Sequence, residues 1–279
     1  MAKKSFIPKL WRRLSVLSPA LALAGLFVMP FSLIAQEKEV EHATGHAHAH
    51  ADEQGIADSE GKAKTDIWAI ARGGQLYDNW ASVIGKSLPE ETHPAYPAAA
   101  KKKGGSTWRC KECHGWDYKG SRGAYAKGSH FTGIKGLRDM VGINPEIIHQ
   151  ILMDNTHRLT EEIMPHLTME QLALFVSRGQ IDMDLYINRE TNESRGDPGR
   201  GANYFQTICA VCHGFDGKAI NFKTQEKPEY VGTVASHNPW EFLHKVRFGQ
   251  PGVPMISLIT LPVTDLVDIL AFGQTLPVE

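Results

Sequence analysis

The chain has 279 residues, room for two domains of about a hundred residues each and a tail. Its formal net charge is −1, but the first 35 residues hold five of the 30 basic residues and none of the 31 acidic ones, which leaves −6 on the remainder. An acidic remainder of that size argues against nucleic acid as a partner.

Residues 1–35 read as an export signal. Lys3, Lys4, Lys9, Arg12 and Arg13 make a basic start, an apolar run follows from Leu14 to Ala35, and small residues (Ser32, Ala35) lie near its end. The competing reading is an uncleaved membrane anchor, because about 20 apolar residues span a bilayer, although Pro19 and Pro30 suit a spanning helix poorly. Both readings place the rest of the chain in the periplasm, and the second ties it to the inner membrane. Residues 36–66 are charged, rich in Ala and Gly and free of Phe, Trp and Tyr, so they read as a flexible linker. His42, His46, His48 and His50 lie in it; such a tract can bind metal ions, but nothing in the spacing fixes a geometry.

The first folded region is expected over residues 67–187, a linker over 188–197 and the second region over 198–279. Gly74-Gln75-Leu76-Tyr77 marks an early helix, and Cys110-Lys111-Glu112-Cys113-His114 follows. From Lys101 to Arg138 ten bases stand against Glu112 and Asp117, which reads either as a solvated face or as a docking surface for an acidic redox partner. Trp108, Trp116 and Tyr118 flank the motif and are expected mostly to pack. Farther on, Thr168 with Gln171 reads as a capping box and Leu167 with Leu172 as a staple across it. The helix should run on through Val176 and end at Gly179 as a left-handed C′ residue.

Asn188–Arg200 is a polar break containing Gly and Pro. Beyond it lies Cys209-Ala210-Val211-Cys212-His213, and a last helix has Pro262 near its start and Gly273 at its stop. The two regions repeat each other. His149 after Pro145 matches His244 after Pro239, and Leu167, Leu172, Gly179 and Gln180 return at unchanged spacing as Leu261, Leu266, Gly273 and Gln274. No segment alternates as a strand would, so the fold class is all-α.

All four cysteines fall in the two C-x-x-C-H units. That spacing puts two thiols on one helical turn, where they can add to the two vinyl groups of one haem while the next imidazole faces the iron. Disulfides, zinc and a thioredoxin-type pair compete. A thioredoxin-type pair would not explain a histidine at the same offset twice, an exported chain seldom places all its cysteines in two such units, and zinc would need a fourth ligand beside Cys₂His. Two covalent haems are therefore expected, with His114 and His213 as iron ligands.

The second region resembles a class I cytochrome c domain. Gly201 and Phe205 lie eight and four residues before Cys209, and Cys-His-Gly-Phe-Asp-Gly runs through residues 212–217. The resemblance covers roughly residues 67–279 and implies two tandem domains, each with a haem cleft closed by its N- and C-terminal helices. The first copy departs from it: Gly74 lies 36 residues before Cys110, so the segment with Pro89, Pro94, Pro97 and Lys101–Lys103 reads as a surface insertion. The family completes its iron coordination with a methionine, which raises the reduction potential relative to two imidazoles. Carried onto this chain, the sixth ligands are Met255, 42 residues after His213, and Met164, 50 residues after His114. His237 and His244 compete with Met255; His130, His149, His157 and His166 compete with Met164. Met169 falls inside a helix and is expected to pack.

The function this implies is transfer of single electrons between redox proteins. Three rivals stand beside it. One is a thiosulfate-dehydrogenase-like enzyme, which would use a further cysteine that this chain lacks. Another is a peroxidase-like enzyme with one open iron, and the third a cytochrome subunit of a membrane-bound oxidoreductase.

Overall fold

The structure, a computed structural model, describes the backbone of residues 59–279 and the side chains of residues 66–279. The expected export signal and His42, His46, His48 and His50 lie outside the described residues. The described residues form one compact unit. Among the described residues it is built from helices and turns, with two isolated β-bridges and no strand, so the all-α expectation holds. No helix among them is long and apolar enough to cross a membrane.

The first repeat contains α1 (Ser59–Ile84), α2 (Cys110–His114), α3 (Pro145–Leu152) and α4 (His166–Leu174). The second contains α5 (Pro198–Tyr204), α6 (Ala210–His213), α7 (Val231–His237), α8 (Pro239–Phe248) and α9 (Val263–Gly273). α1 begins inside the segment expected to be a linker to residue 66. It is broken at Asn79 (φ −155°, ψ 85°), whose Oδ1 accepts from Ser82 N at 3.4 Å and so caps the short segment that follows. α3 and α8 start alike: Asn144 and Asn238 cap them, each ahead of a proline whose missing N–H costs nothing in a first turn.

The crossing of first and last helices is made by glycine in both repeats. A Cβ on Gly73 would stand 2.2 Å from Gln171 O of α4, and one on Gly201 would stand 1.9 Å from Asp268 O of α9. The preceding arginine locks each crossing: Arg72 Nε donates to Gln171 Oε1 at 3.0 Å, and Arg200 Nε to Asp268 Oδ2 at 2.7 Å. The aromatic four residues on, Tyr77 or Phe205, is buried in the core. The matched pattern is thus Arg-Gly-x-x-x-aromatic, with Gly73 and not Gly74 as the crossing residue.

Gly74 has a different neighbour. One residue is about 100° of helix, so it faces α8 of the other repeat, where an added Cβ would meet Phe248 at 2.3 Å. α1 is therefore packed on two sides, which explains why Leu76, Tyr77, Trp80 and Ala81 are all buried. A single apolar core runs through both repeats.

Three local expectations are corrected. α4 is capped by Pro165, not Thr168; Thr168 lies inside the helix and is buried, so the capping box with Gln171 is not formed. Leu167 is 64 % exposed and staples nothing. Gly179 ends a wide, π-type turn (Phe175–Gly179) without a left-handed φ. It is glycine because an added Cβ would lie 2.6 Å from Phe175 and 2.9 Å from Ile70. Gly273 packs in the same way against Phe242. The glutamine after each glycine ties a loop to the terminal helix of its repeat. Gln180 Nε2 donates to Leu137 O at 3.0 Å, and Gln274 Nε2 to Asn192 O at 2.7 Å.

Candidate functional site

Both C-x-x-C-H units lie on short helices that stop at a left-handed glycine, Gly115 (φ 78°) after α2 and Gly214 (φ 77°) after α6. The turn beyond is held by a backbone bond back to the histidine: Gly120 N to His114 O at 2.8 Å, and Ala219 N to His213 O at 2.9 Å. Glycine is needed there because side chains rarely adopt that φ. All four cysteines are free thiols. Burial pushes Cys110 and Cys113 up to about 12 and Cys209 to about 11, the opposite of the lowered value that makes a redox-active thiolate pair.

The first unit is fixed from both ends by α1. Tyr77 OH donates to Gly115 O at 2.5 Å, and Trp80 Nε1 to Trp108 O at 2.9 Å. Arg109 Nε donates to Asp78 O at 2.7 Å while its guanidinium pairs with the Asp78 carboxylate. Lys245 of α8 completes that cluster, with Nζ 2.7 Å from Asp78 Oδ2. Burial alone would raise Asp78, but Lys245 and Arg109 outweigh it and hold the carboxyl below its ordinary value.

His114 Nδ1 lies 2.8 Å from Lys135 O. A carbonyl can only accept, so Nδ1 carries the proton and Nε2 keeps its lone pair. Burial pushes this imidazole down to about 4, so the ring is neutral. A neutral imidazole oriented through Nδ1 by a carbonyl is the arrangement in which metal-ligating histidines are held. Two thiols and such a ring on one turn can hold a covalent haem.

The second unit offers the same groups with less support. His213 Nδ1 is buried without a hydrogen-bond partner, Cys212 is exposed and Cys209 half-buried. The ring stands edge-on to Phe222, with centroids 5.8 Å apart.

Met164 is fully buried in the core just before α4. Met255 is half-buried in the loop between α8 and α9. Met169 packs in the core, as expected. Of the competing histidines, His244 is ruled out as a ligand because both its nitrogens are engaged. Tyr118 OH lies 2.8 Å from Nδ1, and Nε2 lies 2.9 Å from Gly74 O. Its ring sits among Tyr77, Trp116, Tyr118, Phe175 and Phe248 at the contact between the repeats. His237 is exposed on α7. His130 Nδ1 pairs with Glu112, and His149 packs on His166 with centroids 4.5 Å apart. His157 alone stacks with His114, at 6.3 Å between centroids.

The insertion is not purely superficial. Tyr96 and Ala100 are buried, and His93 reaches across to His157 O at 3.0 Å. Asp78, His93 and the Lys135 carbonyl carry no motif, and their part in the site is visible only in the folded chain. No family model, curated protein or solved structure matches this chain significantly.

Proposed function

We propose that this chain is an electron carrier of the c-type cytochrome class, with two tandem cytochrome domains, each holding one covalent haem. Cys110 and Cys113 attach the first and Cys209 and Cys212 the second, while His114 and His213 bind the irons. Met255 supplies the second iron's other ligand. The export signal read in residues 1–35 supports a periplasmic setting, in which the chain passes electrons between redox proteins.

The observation that carries the reading is His114, with Nδ1 held by Lys135 O and Nε2 left free, one residue from a pair of neutral, unbridged thiols. The haem supplies one-electron cycling of its iron between ferrous and ferric. The residues of the chain do the rest. Tyr77, Trp80 and Asp78 hold the attachment helix rigid, and Lys135 O orients the ring of His114. A fixed site changes little between oxidation states, which favours fast electron transfer over chemistry on a substrate.

The test is haem stoichiometry in full-length protein matured in an exporting host. Two haems per chain should survive denaturation and organic extraction. Replacing Cys110 and Cys113 together with Ala should leave one, and replacing Cys209 and Cys212 together should leave the other. Wild-type protein without covalent haem would overturn the reading.

A further inference from the structure

We propose that the first iron is held between two imidazoles, His114 and His157, and that Met164 is a core residue. This rests on the proposed haem attachment and adds its axial ligand. The two rings lie 6.3 Å apart, centroid to centroid, and within 26° of parallel. A metal bound between two imidazoles sits about 2 Å from each nitrogen, and a ring nitrogen is about 1 Å from its centroid, so such rings stand roughly 6 Å apart. Aromatic contact alone spans centroid separations of about 4.5–7 Å, so the spacing fits a shared metal without requiring one.

The hydrogen bonds point the same way. His157 Nδ1 lies 2.9 Å from Ile151 O and 3.1 Å from Asp154 Oδ1. Both partners accept, so Nδ1 carries the proton and Nε2 is left with its lone pair, as in His114. Both imidazoles are thus held through Nδ1, and each keeps an Nε2 lone pair for a metal.

The loop around His157 is built to keep that ring still. Asp154 Oδ1 caps it, accepting from the N–H groups of Thr156 and His157 at 2.8 Å each. The next residue, Arg158, has φ 55°, one of three left-handed non-glycine residues among those described. Such strain persists where the surroundings over-determine a conformation, and it gathers at functional sites. His93 of the insertion adds a clamp. Its Nδ1 accepts from Ala95 N at 3.1 Å, so Nε2 bears the proton and donates to His157 O at 3.0 Å. The insertion that distinguishes the first repeat from the second thus braces the ligand by which the two sites differ. Met164 is 0 % exposed within the apolar core, where a thioether serves as well as any hydrocarbon side chain.

The test uses full-length holoprotein and counts haem first, so that loss of covalent haem refutes the haem reading and not the ligand. With two haems per chain present, His157→Ala should raise carbon monoxide binding to the ferrous protein by one equivalent per chain and give a high-spin ferric signal. Met164→Leu should leave both spectra unchanged. His157→Met keeps a ligating side chain in case the alanine variant folds poorly; it should add one equivalent of the near-infrared thioether-to-iron charge-transfer band and raise one of the two reduction potentials. The proposal is overturned if Met164→Leu opens an iron, or if His157→Ala and His157→Met both leave ligand binding and potentials as in the wild type.

Discussion

Tyr118 shows how one residue can carry strain for the sake of a contact. It occupies the place in its repeat that Gly217 holds in the other, and both are left-handed, with φ 62° and 73°. A tyrosine there costs roughly 1–2 kcal/mol. The cost is offset because the ring is wholly buried against Tyr77, Phe175 and His244, and its hydroxyl donates to His244 Nδ1. Tyr118→Phe keeps the strain and leaves a buried nitrogen unpaired, so denaturant unfolding should show a loss of about 1–3 kcal/mol. A second residue-scale case is Asp78, whose carboxylate is fully buried between Arg109 and Lys245. Removing one member of a buried ion cluster costs about 3–5 kcal/mol, and Asp78→Asn should show it. Since the folded pKa lies below the ordinary 3.8, this stabilisation is whole above pH 3.8 and drains away as pH falls through the lowered value. The acid limb of the wild-type stability curve should therefore flatten in the Asn variant; an unchanged limb would show that Asp78 does not set it.

At the scale of elements, the two helix crossings make a matched pair of predictions. Gly73→Ala and Gly201→Ala would each press a methyl group into a backbone carbonyl, at 2.2 Å and 1.9 Å. Carbonyls of a packed helix cannot rotate away, so the helices must separate, at a cost of about 1–3 kcal/mol or more. Gly85→Ala is the control: φ is +68° but nothing lies within 4 Å, so only the left-handed backbone penalty of roughly 1–2 kcal/mol applies. Thermal unfolding should rank both crossing variants below it. These crossings also show what the sequence could and could not tell. Apolar period and residue spacing were enough to place the terminal helices and the two C-x-x-C-H units, because those signals are local. The choice between Gly73 and Gly74 was not local: both satisfy α1, and only the position of α8 against Gly74 separates their roles. The capping box failed for a related reason. Thr168 and Gln171 have the right spacing, but Pro165 opens the helix three residues earlier and both side chains are then buried in the core. Met164 comes from the family pattern counted from His114, whereas the reach of His93 from the insertion to the His157 loop is visible only in the folded chain.

For the whole molecule, folding redistributes charge that looks concentrated along the chain. Of the ten bases between Lys101 and Arg138, Arg109 pairs with Asp78, Lys111 with Glu112, Lys119 with Asp182 and Asp184, and Arg122 with Asp139. Lys111 also lies 4.9 Å from the centre of the Trp116 ring and is nearly buried. Trp116 and Tyr118 are closed off at the contact between the repeats and offer no surface to a partner. What remains outward is a smaller basic set, with Lys101, Lys103, Lys127 and Lys135 exposed. Lys135 is the residue whose carbonyl holds His114, so positive charge stands beside the first site in a chain whose residues 36–279 sum to −6. On the proposed function, a small anionic oxidant such as ferricyanide should be drawn to this side. Its second-order rate should fall as salt is raised, since exposed charges are screened over about 10 Å at 0.1 M ionic strength. Lys101, Lys103, Lys127 and Lys135 all changed to Gln should lower the rate at low salt and leave haem spectra and potentials unchanged, because attraction acts on encounter and not on the bound site. The wild-type and variant rates should then converge at high salt. Equal rates at every ionic strength would show that these lysines only solvate the surface.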